Sequence, residues 1–137
     1  MVTTYLVDSS AWIEYLRRTG SRADAEVTRL TECDFPVAGV TEPVIMELLA
    51  GARHAADFGK LTRLTSAMPL LKVDPECDFP EAGALYKILR NAGVTIRSMN
   101  DCLIAAIAWR RDATIVHADA DFDEIAARYP VRVKSLR

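Results

Sequence analysis

Cysteine, histidine and lysine are all scarce in this sequence. The three cysteines, Cys33, Cys77 and Cys102, are odd in number and contain no CxxC pair. That argues against a disulfide framework or a thiolate zinc site and reads as buried thiols in a reducing compartment. The two histidines, His54 and His117, stand far apart and form no metal-ligand spacing. No apolar stretch nears the roughly 18 residues of a membrane span; the longest run is Cys102 to Trp109. The opening MVTTYLVDSS has no basic region and meets an acid at Asp8, so it does not read as a signal peptide. The expectation is a cytosolic protein, or one exported by a route the sequence does not show. Charge of one sign is not in excess either. A net charge of -2 leaves no global basic footprint for nucleic acid. The 17 cations comprise 13 Arg and 4 Lys. Arginine is the better bidentate partner of phosphate, but genome composition produces the same bias, so it carries little weight.

What is present is an ordinary globular composition. The chain has 137 residues, 50% of them hydrophobic and 26% charged, which fits one domain over 1–137 with a sizeable core. Short apolar runs predict strands at Thr4–Val7, Phe35–Gly39, Leu70–Val73, Thr114–His117 and Val131–Lys134. Helical spacing predicts helices at Ser10–Arg18, Arg22–Thr31, Pro43–Ala52, Ala56–Ala67, Phe79–Ala92, Met99–Arg111 and Phe122–Arg128. Strands alternate with helices, and the strands do not alternate in polarity. That pattern predicts an α/β fold, a mainly parallel sheet covered on both faces. Ligands of such sheets sit at the carboxyl ends of the strands, so function is sought after Val7, Gly39 and His117.

Five acids stand near those positions. Asp8 ends the first strand; it either points into the crevice or caps the following helix. Glu47 flanks the buried face formed by Val44, Ile45, Leu48, Leu49 and Ala52, and in isolation it reads as a surface residue. Gly51 follows one turn later and costs about 1 kcal/mol relative to Ala inside a helix. Either an absent side chain is needed beside Glu47 or the helix simply ends there. Asp101 opens a helix whose buried stripe is Leu103, Ile104 and Ile107, with Ala105 and Ala108 leaving room on the acid's side. Ser98 and Asp101 fit a capping box, and the helix macrodipole is expected to keep Asp101 ionised. Asp121 and Glu124 fit a second capping box, whereas Asp119 has no such local role.

Two carboxylates about 5 Å apart repel by roughly 3 kcal/mol at an effective dielectric near 20. Four or five of them in one crevice therefore call for cations. Hard oxygen donors without His or Cys select magnesium, or manganese in its place, over zinc. An all-carboxylate magnesium site suits phosphodiester hydrolysis, where the ion polarises phosphate and activates water.

The order VDSS with Asp8, ELLAG with Glu47 and Gly51, DCLIAA with Asp101, and HADADF with Asp119 and Asp121 resembles the PIN-domain family. The four motifs lie 39, 54 and 18 residues apart and span most of the chain. The length and the RSMND approach to the third motif are similar to VapC toxins of bacterial VapBC toxin–antitoxin pairs. The resemblance implies a three-layer α/β/α fold with a central five-stranded, mainly parallel sheet, commonly dimeric and part of a larger toxin–antitoxin assembly. It implies magnesium-dependent cleavage of single-stranded regions of RNA, such as those of transfer RNA, and inhibition by a cognate VapB antitoxin that covers the acidic groove. By the same resemblance Asp8 and Asp101 are the principal metal ligands, and Glu47, Asp119 and Asp121 complete the pocket directly or through water. Ser10 matches a small hydroxyl residue near the metal, and Arg97 an arginine that contacts phosphate. His117 departs from the Thr usual in the family and reads as a strand-end packing residue. The implied reaction is in-line attack by a metal-activated water, leaving a 5′-phosphate and a 3′-hydroxyl. Arg17, Arg18 and Arg97 either guide the RNA backbone or are ordinary solvated surface.

Two rival readings remain at this point. In one, Asp8 is the nucleophile of a phosphoryl-transfer protein, but Ser9 and Ser10 stand where such proteins carry a paired acid, and lysine is scarce. In the other, the chain is a non-catalytic PIN-like binding module, although such modules tend to lose acids and all five are present here.

Overall fold

The computed structural model describes residues 4–33 and 37–137. Strands β1 (Thr4–Val7), β2 (Ala38–Gly39), β3 (Ala113–His117) and β4 (Arg132–Ser135) form a sheet in the order β2-β1-β3-β4. Every pairing is parallel, with Leu6 opposite Gly39 and Ile115, and Val116 opposite Lys134. Parallel neighbours require crossover segments, and among the described residues seven helices flank the sheet. They are α1 (Ser9–Leu16), α2 (Arg22–Thr31), α3 (Glu42–Ala50), α4 (Ala55–Ser66), α5 (Pro75–Asn91), α6 (Met99–Arg110) and α7 (Ala120–Ala126). The α/β class expected from the sequence is the one observed. Among the described residues no helix is long and apolar enough to cross a membrane.

The sheet has four strands among the described residues, not the expected five. Leu70–Val73 reduces to a single bridge between Val40 and Leu70. The Val40 N–H donates to the Pro69 carbonyl at 3.0 Å, and the Leu71 N–H to the Val40 carbonyl at 2.7 Å. Beyond that point side chains take the backbone groups a strand would need. The Val73 N–H donates to Glu42 Oε1 at 2.9 Å, and the Lys72 carbonyl accepts from Arg110 Nη2 at 2.8 Å. The expected run Phe35–Gly39 begins outside the described residues; its described end is β2.

Two helices differ from their expected form for legible reasons. Helix α5 begins at Pro75, four residues before the expected Phe79, because Asp74 is its N-cap and accepts the Glu76 N–H at 3.2 Å, with Pro75 preset for the first turn. Helix α6 carries no narrow buried stripe. Asp101 through Ala108 are all buried, so this helix is enclosed on every side, as a helix apolar all round must be. The core it joins includes Leu6, Val7, Trp12, Ile115, Val116 and Phe122, each at 0% exposure.

Candidate active site

Asp8 lies where β1 ends and α1 begins, and both of its sequence readings hold at once. It is the N-cap of α1: its Oδ2 accepts the Ser10 N–H at 3.0 Å and the Ser10 hydroxyl at 2.6 Å. Its backbone N–H is tied to the Val116 carbonyl of β3 at 2.9 Å. The second oxygen, Oδ1, is buried and accepts no hydrogen bond. Burial pushes this carboxyl above its ordinary value, Ser10 and Ser9 oppose the rise, and Asp119 adds to it.

The other acids converge from three helices. Glu47 projects from the middle of α3; its Oε1 is buried without a donor. Its carboxyl is raised by burial and then by the charges of Asp8 and Asp119, with hydrogen bonding from Ser9 and Asn100 opposing. Asp101 sits in the first turn of α6 behind its Ser98 N-cap, which accepts the Asn100 N–H at 3.1 Å. Asp101 is 6% exposed. Burial, followed by Asp8, Asp119, Glu47 and Asp121, pushes its carboxyl up to about 8. All four other acids therefore act on Asp101, which makes it the electrostatic centre of the group. One carboxylate oxygen from each of Asp101, Asp119 and Asp121 lies within 4.8 Å of the others.

Two expectations are corrected here. The macrodipole does not keep Asp101 ionised. Burial disfavours its charge first and the neighbouring acids add to that, whereas a helix terminus contributes only about 0.3–1 kcal/mol. The capping role at α7 belongs to Asp119, whose Oδ1 accepts the Asp121 N–H at 2.9 Å, rather than to Asp121. Gly51 also loses its special reading. It closes α3 at φ -83°, and a Cβ there would meet nothing nearer than backbone oxygens at 3.6 Å.

The supporting residues separate in the same way. The Ser10 hydroxyl also accepts the Ala118 N–H at 3.0 Å, so it rivets the end of β1 to the end of β3. His117 is buried, as a strand-end packing residue should be, with its ring 5.3 Å from that of Phe122. Its Nδ1 accepts the Asp119 N–H at 3.1 Å, and burial lowers its pKa, so the neutral ring helps to set the Asp119 backbone. Arg97 does not stand free for phosphate: Nη2 meets Asp119 Oδ1 at 3.0 Å and Nε meets Asp121 Oδ2 at 3.3 Å. Arg17 and Arg18 line a cavity of about 740 Å³ that reaches Glu47, together with Arg53 and Lys60, which sequence reasoning had not singled out. Ser9 and Asn100 were missed as well. Their only signal was adjacency to Asp8 and Asp101.

The donor set fits a divalent cation. It consists of hard oxygens, it holds more negative charge than its surroundings neutralise, and it includes two buried carboxylate oxygens, Asp8 Oδ1 and Glu47 Oε1, that no protein donor satisfies. A cation held there would polarise an anionic oxygen or activate water.

Comparison with known proteins agrees with this geometry. The family model of the PIN domain matches residues 5–128. Ribonuclease VapC11 of Mycobacterium tuberculosis is 47% identical over 132 residues, 96% of this chain and 98% of that protein, and a VapC ribonuclease of Mycobacterium bovis matches equally. Among solved structures, VapBC2 from Rickettsia felis, bound to a promoter DNA fragment, superposes with a TM-score of 0.76 at 19% identity, covering 98% of this chain and 100% of that one. VapBC-1 from nontypeable Haemophilus influenzae gives 0.74 at 20% identity, covering 98% of both. At these identities the structural likeness speaks for the fold.

Proposed function

Because this chain belongs to the PIN-domain family, and within it to the VapC ribonucleases, we propose that it is the toxin of a type II toxin–antitoxin pair, a magnesium-dependent endoribonuclease. PIN nucleases use divalent metal ions. The observation that carries the metal assignment is the coupling of all five acids around Asp101, with Asp8 Oδ1 and Glu47 Oε1 left without donors. Asp8 and Asp101 are the principal ligands in this reading, and Glu47, Asp119 and Asp121 complete the pocket directly or through water. Magnesium, or manganese in its place, supplies Lewis acidity toward phosphate and a lowered pKa for water.

The chain's own residues account for the rest. Ser10 holds Asp8 Oδ2, so that Oδ1 is the oxygen turned to the pocket. Enclosure by α6 and the sheet keeps the local dielectric low, which strengthens every interaction with a phosphate. Asp101, raised first by burial and then by the neighbouring acids, would hold a bound cation in its deprotonated form, so binding would be linked to proton release. The substrate is RNA in single-stranded regions, transfer RNA being one source, with Arg17 and Arg18 placed to meet the backbone beside Glu47. Cleavage leaves a 5′-phosphate and a 3′-hydroxyl. A cognate VapB antitoxin neutralises the activity, and the toxin acts in the bacterial cytoplasm as a homodimer within a larger toxin–antitoxin assembly. A phosphotransferase with Asp8 as nucleophile fits less well, since Asp8 Oδ2 is already held by Ser10 and the family is one of nucleases. A non-catalytic module would not keep five acids converging at such electrostatic cost.

The test is incubation of the purified chain with transfer RNA and magnesium, followed by analysis of the product ends. Cleavage that yields 5′-phosphate ends and is lost in Asp8→Asn and Asp101→Asn supports the reading. Undiminished cleavage in either variant overturns the assignment of those ligands.

A further inference from the structure

The observed contacts of Arg97 depart from what the family resemblance implied. It precedes α6, and its side chain is 77% exposed, yet the guanidinium lies across two acids of the pocket. Those acids do not depend on it for their placement. Asp119 Oδ1 also accepts the Asp121 N–H at 2.9 Å, and the Asp119 N–H donates to His117 Nδ1 at 3.1 Å. Asp121 Oδ2 also accepts the backbone N–H of Arg97 itself at 3.2 Å. Removing the guanidinium therefore leaves both carboxylates anchored through the main chain. What it removes is a positive charge.

We infer that Arg97 is a movable internal counter-ion, which neutralises the Asp119–Asp121 side of the pocket in the metal-free protein and must be displaced for a divalent cation to bind there at full strength. The inference rests on the metal-site reading above. Exposure makes the exchange easy: an arginine so open to water gives up little on leaving, because exposed ion pairs are weak and screened by solvent. A divalent ion offers the same carboxylates a larger charge at shorter range. The displaced guanidinium then stands at the pocket's edge, free to meet an anionic substrate. Loading the ion and freeing a phosphate-binding arginine become one event.

The competing role is positioning, in which Arg97 orients the two carboxylates and its loss weakens cation binding. Manganese binding separates the two. Titration calorimetry, with free manganese counted by electron paramagnetic resonance, is run on the native chain, Arg97→Ala, Arg97→Gln and Arg97→Lys at pH 7.5. Loss of the charge should tighten manganese binding roughly threefold to tenfold in the Ala and Gln variants. Arg97→Lys should stay near native, and the difference should shrink at high salt as the charges are screened. Affinities in the Ala and Gln variants equal to or weaker than native overturn the counter-ion role and leave the metal site standing. Absence of manganese binding in all four proteins overturns the metal-site reading and this inference with it.

Discussion

The Ser10 hydroxyl donates to Asp8 Oδ2 at 2.6 Å while accepting the Ala118 N–H at 3.0 Å. One oxygen thus fixes both the orientation of a pocket acid and the spacing of two parallel strand ends. Ser10→Ala leaves the Ala118 N–H without its acceptor, which should cost about 1–3 kcal/mol of stability by urea unfolding. The freed Asp8 carboxylate rotates more widely, and if Asp8 is the ligand proposed above, RNA cleavage should fall about 10- to 100-fold.

Asp101→Asn should separate function from stability. RNA cleavage should drop at least about a hundredfold if Asp101 is the central ligand proposed above. The metal-free variant should nevertheless melt at a higher temperature than the native chain at pH 8, because the amide removes a buried charge and with it the repulsion from Asp8, Asp119, Glu47 and Asp121. Thermal melts in chelator check this, and a lower melting temperature would contradict it.

The pH dependence follows from the same centre. Asp101 holds its proton up to about pH 8 when folded, against an ordinary value of 3.8, and Asp8 and Glu47 are raised in the same direction. A raised acid binds more protons in the folded than in the unfolded state. Its favourable share is full below the unfolded value and is lost as pH climbs toward the folded one. The metal-free protein should therefore become less stable from about pH 5 to pH 8. Added magnesium should restore stability, most strongly at the alkaline end, where binding no longer has to expel a proton. A melting temperature rising over that interval in chelator would contradict the argument.

Asp78 and Arg110 form a separate structural clamp between α5 and α6. Asp78 is 1% exposed, and two of the arginine's nitrogens reach its carboxylate oxygens at 2.8 Å. Arg110→Met leaves that buried carboxylate without a counter-charge, held by the Asp74 N–H at 2.7 Å, and should cost about 3 kcal/mol in urea unfolding. Replacing both partners by apolar residues should cost less, which a double-mutant cycle measures.

Two glycines differ in what the fold asks of them. Gly51→Ala should be neutral or stabilising by up to about 1 kcal/mol, since its φ is ordinary and a Cβ meets only van der Waals contacts. Gly39→Ala should destabilise, because a Cβ there would collide with the Leu71 side chain and meet the Pro69 carbonyl at 3.0 Å. Comparative melting of the two variants tests this.

The sequence by itself determined the α/β class, most element positions and the five acids of the pocket. Those features are local. Hydrophobic period, capping residues and motif spacing are written in consecutive residues, and Asp8 and Asp101 each stand at a helix start that the chain signals directly. Tertiary structure decided how the acids behave together. Asp101 looked like a dipole-stabilised, ionised first-turn residue until α6 proved to be enclosed and four other charges to face it. Arg97 looked like a free phosphate contact until the fold laid it across Asp119 and Asp121, residues more than 20 positions away. The fifth strand disappeared because Glu42 and Arg110, both distant in sequence, took its backbone groups. Burial, charge coupling and long-range hydrogen bonds depend on separation in space, and that separation exists only once the chain has folded.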